Sequence, residues 1–321
     1  MMKCPAPESM RDVLIKKIYE RMQHDDRIFF LSADFGSRAL DPLRKKFKDR
    51  FINVGIAEQN LINIATGLAL EGFIVYAYAI APFLTMRCYE QLRVNLSILT
   101  QIKELNVNLV GVGAGLSYDL SGPTHHCFED ISIMRTLPNF MIFSPSDWVL
   151  TEKFMHFSFE KKKPKYLRLD GKPLPRIYDN SIKVDFKKGF CELKKGKDVC
   201  IVSTGYMTHK ALKVVSQCLK NKLSVGVVDV FILKPVNEDL LFDCLKKYRN
   251  ILTLEEGFVN SGGLGSIIAD ILVSRRASIG LKKMGFKDKY VFEAGNRDYL
   301  HRINSLGEED IIKSINDFKT G

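Results

Sequence analysis

RFINVGIAEQN, residues 50–60, decides how the chain is read. Phe51-Ile52-Asn53-Val54 has the aromatic and β-branched character of a short strand. Gly55 supplies a turn. Glu58 then opens an apolar helical pattern shared by Ile56, Leu61, Ile64, Ala65 and Leu68. An acid in the first turn of a helix feels the positive end of the helix dipole, which favours its charged form. Burial favours the neutral form. Taken alone, the residues leave two readings: an ordinary helix-start acid, which is common, or a positioned acid/base.

The same alternation extends in both directions. Residues 9–25 read as a helix capped by Ser9, with Val13, Leu14, Ile18 and Met22 at helical spacing. Arg27 to Ser32 is a strand ending in the small-residue loop around Asp34, which is either a turn former or a residue lining a ligand crevice. Further strands are expected at 73–80, 108–112, 140–144 and 165–169, with a helix at 82–100. Such alternation predicts an α/β fold with a mainly parallel sheet covered on both faces. The Pro- and Gly-bearing stretch 171–185 reads as a linker between a domain at 1–170 and a second α/β domain at 186–321. In the second domain, strands are expected at 198–204, 224–231, 250–254 and 289–292, with helices at 207–220 and 237–248 and one that starts in the stretch 261–265 and runs through 274.

Composition narrows the class. The 321 residues carry a net charge of +11, and the imbalance lies entirely in the second half. Residues 1–150 hold 16 Lys/Arg against 16 Asp/Glu, while 151–321 hold 32 against 21. The basic clusters are short, separated and not interleaved with aromatics, so they read as solvated surface and not as a nucleic-acid site. Seven cysteines at irregular spacing, without a CxxC, point to reduced thiols in a cytoplasm rather than to disulfides or zinc. The N-terminus shows no apolar signal core. The apolar run from Leu61 to Met86 carries one charge, Glu71, but Gly67, Gly72 and Pro82 divide it into a helix and a strand, so no membrane span is expected.

The ordered motifs carry the most information. GIAEQN (55–60) is followed by ATGLALEG (65–72), PFLTMRCYEQLR (82–93), GAGLSYDLSGPTH (113–125) and FEDI (128–131). The second half adds TGYMTHKAL (204–212), VDVFILKPVN (228–237) and LTLEEGFVNSGGLG (252–265). In this order they resemble the transketolase family of thiamine-diphosphate enzymes, specifically its pyrimidine-binding and C-terminal domains. The resemblance implies that Glu58 hydrogen-bonds the aminopyrimidine and promotes the tautomer that activates the cofactor. It places Phe83 on the pyrimidine ring, with Asp34 and Ile56 beside the cofactor. His125 would line the substrate channel and shuttle protons. Arg87 on the following helix is a framework charge or a substrate contact.

Departures from the family pattern bear on the substrate. Ser121 stands where complete transketolases carry a hydroxyl-binding Asp, and Gly113 where they carry a further His. YLRLDGKPLP lacks the Arg that would bind a sugar phosphate, which leaves Arg168 and Lys172 as candidate substitutes. No GDG motif for diphosphate and Mg²⁺ occurs, and no metal ligands are expected in this chain. The resemblance therefore implies a separate N-terminal subunit that anchors both, in an α2β2 assembly whose self-association uses the C-terminal domain. The implied reaction is transfer of a two-carbon ketol unit from a ketose to an aldehyde, with a sugar of polysaccharide biosynthesis as one acceptor class. A pyruvate-using subunit and a non-catalytic homologue stay open as alternatives.

Overall fold

The computed structural model describes residues 6–179, 181–218 and 224–320. The first half runs α1 (Met10–Met22), β1 (Ile28–Ser32), α2 (Asp41–Lys46), β2 (Phe51–Asn53), α3 (Glu58–Leu70) and β3 (Ile74–Ile80). It continues with α4 (Tyr89–Gln91), β4 (Asn106–Val112), α5 (Asp130–Arg135), β5 (Met141–Phe143), α6 (Trp148–Glu160) and β6 (Lys165–Leu169). After the connecting stretch come β7 (Phe190–Lys194), β8 (Val199–Ser203), α7 (Tyr206–Cys218), β9 (Val225–Val230) and β10 (Ile232–Lys234). The chain ends with α8 (Glu238–Leu245), β11 (Asn250–Phe258), α9 (Leu264–Ser274), β12 (Gly280–Phe286), α10 (Arg297–Ile303) and α11 (Glu308–Thr320).

Two sheets result, in the order β10-β5-β6-β4-β3-β1-β2 and β12-β11-β8-β9-β7. All pairings are parallel except those of β10 with β5 and β7 with β9. This is the expected two-unit α/β fold. Val75 to Ala79 of β3 are fully buried, as a central parallel strand covered on both faces demands. That accounts for the long apolar run, and no helix among the described residues is long and apolar enough to cross a membrane.

Two local expectations fail, and one short strand crosses between the units. The run 82–100 is not one α-helix: Phe83–Arg87 and Leu92–Ile98 are π-helical, and Leu99–Gln101 closes as a 3₁₀ turn. Hydroxyls loosen this segment by bonding carbonyls one turn back, Thr85 to Ala81 and Thr100 to Leu96. The strand expected at 289–292 is absent, because Phe292 points outward at 79% exposure and only Val291 is buried. The edge strand is instead β12, whose Lys282 and Lys283 suit an unpaired edge. Lastly β10, which follows the second domain's β9, adds itself to the first domain's sheet.

A buried charge network joins the two units. Arg297, at the start of α10, bonds Glu256 on one side and Asp170 on the other, at 2.7 and 2.6 Å. Burial pushes the Glu256 carboxyl up, but Arg297 beside it outweighs this and holds it below the usual carboxylate range. Asp229 accepts bonds from Ser146 of the first unit, Tyr178 of the connecting stretch and Thr208 of the second.

Candidate functional site

The C-terminal ends of β1, β2, β3 and β4 lie side by side, because β4, β3, β1 and β2 are neighbours in one parallel sheet. The loops leaving these ends therefore converge, as ligand-binding loops do in open α/β sheets. Asp34, in the left-handed conformation at φ 52°, follows β1. It exchanges two hydrogen bonds with Asn53 at the end of β2, at 2.9 and 3.0 Å. The same Asn53 oxygen accepts from the Gly55 amide, and Gly55 turns the chain at φ +75°. Ile56 is left 75% exposed, and Glu58 becomes the first residue of α3.

Glu58 is only 6% exposed, yet its Oε1 reaches the loop cluster, where Arg87 Nη1 donates to it at 3.0 Å. The Arg87 guanidinium lies over the Phe83 ring, 3.7 Å from its centroid. The two residues stack because the π turn that follows β3 places them on one side of the segment. The His125 ring meets the edge of Phe83 at 5.2 Å and 68°. His125 Nδ1 is paired with the Thr124 hydroxyl at 3.0 Å. Glu58, Arg87, Phe83 and His125 thus form one unbroken chain of contacts, although they come from three separate loops. Burial, with Glu58 nearby, pushes the neighbouring Cys88 thiol up to about 12, so that thiol stays protonated and unreactive.

The other expected residues divide. Ser121 is exposed on the His125 loop, in the short turn Asp119–Ser121. Lys172 is tied to Asp119 of that loop at 2.5 Å and is half exposed. Arg168 lies apart from these residues. Its side chain is 3% exposed and bonds Asp130 at 2.7 Å and the Glu256 carbonyl at 2.9 Å, so it serves the domain junction and not the loop mouth. His126 is buried as well, and burial lowers its basicity, leaving a neutral imidazole.

Tyr118 is the residue that sequence reasoning missed. A Cβ at Gly113, whose φ is +109°, would stand 2.4 Å from the Tyr118 ring, and one at Gly171 would stand 2.8 Å away. One aromatic side chain therefore fills the space over two glycines from separate loops. The signal was a small residue at 171, where the backbone conformation does not itself call for glycine.

The chain matches the model of the transketolase pyrimidine-binding domain over residues 7–175 and that of the transketolase C-terminal domain over 191–307. The chain belongs to the transketolase family. It is 31% identical over 307 residues to one subunit of the apulose-4-phosphate transketolase of Actinobacillus succinogenes, covering 95% of this chain and 96% of that one. It is 30% identical over 310 residues to a 6-deoxy-6-sulfo-D-fructose transketolase subunit of a Clostridium species, covering 96% and 94%. A solved structure described as a split-gene transketolase in an inactive β4 tetramer superposes with a TM-score of 0.85 at 32% identity, covering 97% and 98%. The transketolase family depends on thiamine diphosphate, and this chain is a transketolase-like transferase subunit. An almost buried carboxyl and an aromatic ring, both in contact with Arg87, are the groups this chain offers to the pyrimidine end of that cofactor. Among the described residues no group of three His, Cys, Asp or Glu side chains could hold a metal ion.

Proposed function

We propose that this chain is the C-terminal subunit of a split, thiamine-diphosphate-dependent transketolase-like enzyme that works in the cytoplasm. The active site forms where its loop cluster meets a separate subunit that anchors the diphosphate and Mg²⁺. An α2β2 assembly is the expected form. The observation that carries this reading is the chain of contacts from Glu58 through Arg87 and Phe83 to His125, at the C-terminal ends of the parallel strands. The free thiols of Cys88, Cys127, Cys191, Cys200, Cys218 and Cys244 fit a reducing compartment.

When bound, the cofactor supplies the acidic carbon that attacks the donor ketose and carries its two-carbon unit. The chain's own residues do the rest. Glu58 hydrogen-bonds the edge of the pyrimidine and orients it. Phe83 provides the flat face, and Ile56 and Asp34 border it. His125 binds substrate oxygen and moves a proton as carbinol and carbonyl interconvert. Ser121, Lys172 and Arg87 stand at the mouth, where they meet the distal part of the substrate. The substrates named for two relatives carry a phosphate or a sulfo group, and Lys172 and Arg87 are the cations placed to meet such an end.

The test is reconstitution with the partner subunit, thiamine diphosphate and Mg²⁺. Ketose donors are supplied with phosphorylated and nucleotide-linked aldehyde acceptors in parallel. Two-carbon transfer that needs both subunits is expected. Consumption of pyruvate without ketose transfer would overturn it. That outcome would favour the alternative suggested by a 30% identity to 1-deoxy-D-xylulose-5-phosphate synthase of Aquifex aeolicus, of which this chain spans half the length.

A further inference from the structure

The seat for a flat ring is taken by a side chain of the protein itself. The Arg87 guanidinium covers the Phe83 face at 3.7 Å, and its rim donates to Glu58 Oε1 at 3.0 Å. A guanidinium is planar, carries its donors on the rim and is weakly hydrated on its faces. An aminopyrimidine offers the same geometry, and it would make the same two contacts with the same two residues. Two planar groups cannot both occupy them.

We propose that Arg87 is a built-in stand-in for the cofactor's pyrimidine, holding its seat in the free subunit and yielding it as the cofactor enters. The proposal rests on the functional reading above. Several features suit Arg87 to the part. Its side chain is 46% exposed while that of Glu58 is 6% exposed, so the guanidinium can swing into solvent and the carboxyl cannot. Its backbone stays anchored, because the Gln59 amide donates to the Arg87 carbonyl at 3.2 Å. The nearby Glu90 is committed to Arg93 through two bonds, at 3.0 and 2.9 Å, and does not compete for Arg87. While seated, Arg87 keeps a nearly buried carboxylate paired, which would otherwise be costly. Once displaced, it delivers a free cation to the mouth beside His125. The charge that meets an anionic substrate is then presented only after the cofactor is in place.

The experiment measures thiamine diphosphate binding to the reconstituted complex by calorimetry, with Mg²⁺ present throughout. Arg87→Met removes both the donor and the stacking plane, and it should tighten binding about three- to tenfold, the worth of one half-exposed ion pair with its ring contact. Arg87→Lys keeps the charge but loses the fork, and should fall between. Unchanged or weaker binding by Arg87→Met would overturn the stand-in, while a wild-type complex that binds no cofactor would instead overturn the functional reading. A second readout is independent of affinity. Side-chain nitrogen NMR of the full chain should show Arg87 held in the wild type, mobile in Glu58→Gln, and released when partner and cofactor are added. An Arg87 that stays held at cofactor saturation would equally overturn the proposal.

Discussion

Phe83 and His125 touch each other, and the proposed function gives them separable tasks. If Phe83 supplies a face for the pyrimidine, Phe83→Ala should weaken cofactor binding about threefold to tenfold, read by calorimetry on the complex. If His125 handles protons, His125→Ala should lower kcat about a hundredfold with little change in cofactor affinity, read by steady-state kinetics. Both could be singled out in the sequence because each lies inside a short ordered motif, and the structure brings the two rings together. Arg168 was harder to place. It lies beside a motif, but its neighbours in space, Asp130 and Glu256, are distant in sequence. Tyr118 went unnoticed because its work is done against Gly113 and Gly171, a relation that no local pattern displays.

At the level of elements, the parallel strands were legible from their apolar runs, and β6 was placed at its observed bounds. The π turns after β3 were not, since apolar spacing does not display which carbonyl each backbone amide reaches. The contacts between elements follow long-range pairing. Arg297→Met would strand Glu256 and Asp170 without their shared counter-charge. It should cost about 3–5 kcal/mol, seen as a lowered midpoint in chemical denaturation. Asp229 carries the pH dependence of the same junction. Burial raises its carboxyl to about 6, and its three hydroxyl donors only partly offset this. A raised acid favours the folded state below its unfolded value, and that advantage is lost as pH climbs through about 6. Stability should therefore fall by roughly 2–3 kcal/mol between about pH 4 and 6 on this account, with Asp229→Asn flattening that part of the curve.

Across the whole molecule, the loop cluster opens at a sheet edge flanked by exposed apolar side chains, Ile56 at 75% and Leu120 at 80%. Apolar groups beside an incomplete site are what a partner subunit would cover. The two-domain organisation was legible because the motifs keep their order along the chain. The crossing of β10 into the first sheet was not, because a three-residue strand carries no sign of which sheet it joins. The central claim is that this chain contributes Glu58 to an active site it shares with another subunit. The most direct measurement is the two-carbon transfer rate of the partner mixed with wild-type chain or with Glu58→Ala, at saturating thiamine diphosphate and Mg²⁺. The account predicts activity only in the wild-type mixture, with a loss of at least about a hundredfold in the variant. A Glu58→Ala mixture as active as wild type would contradict it.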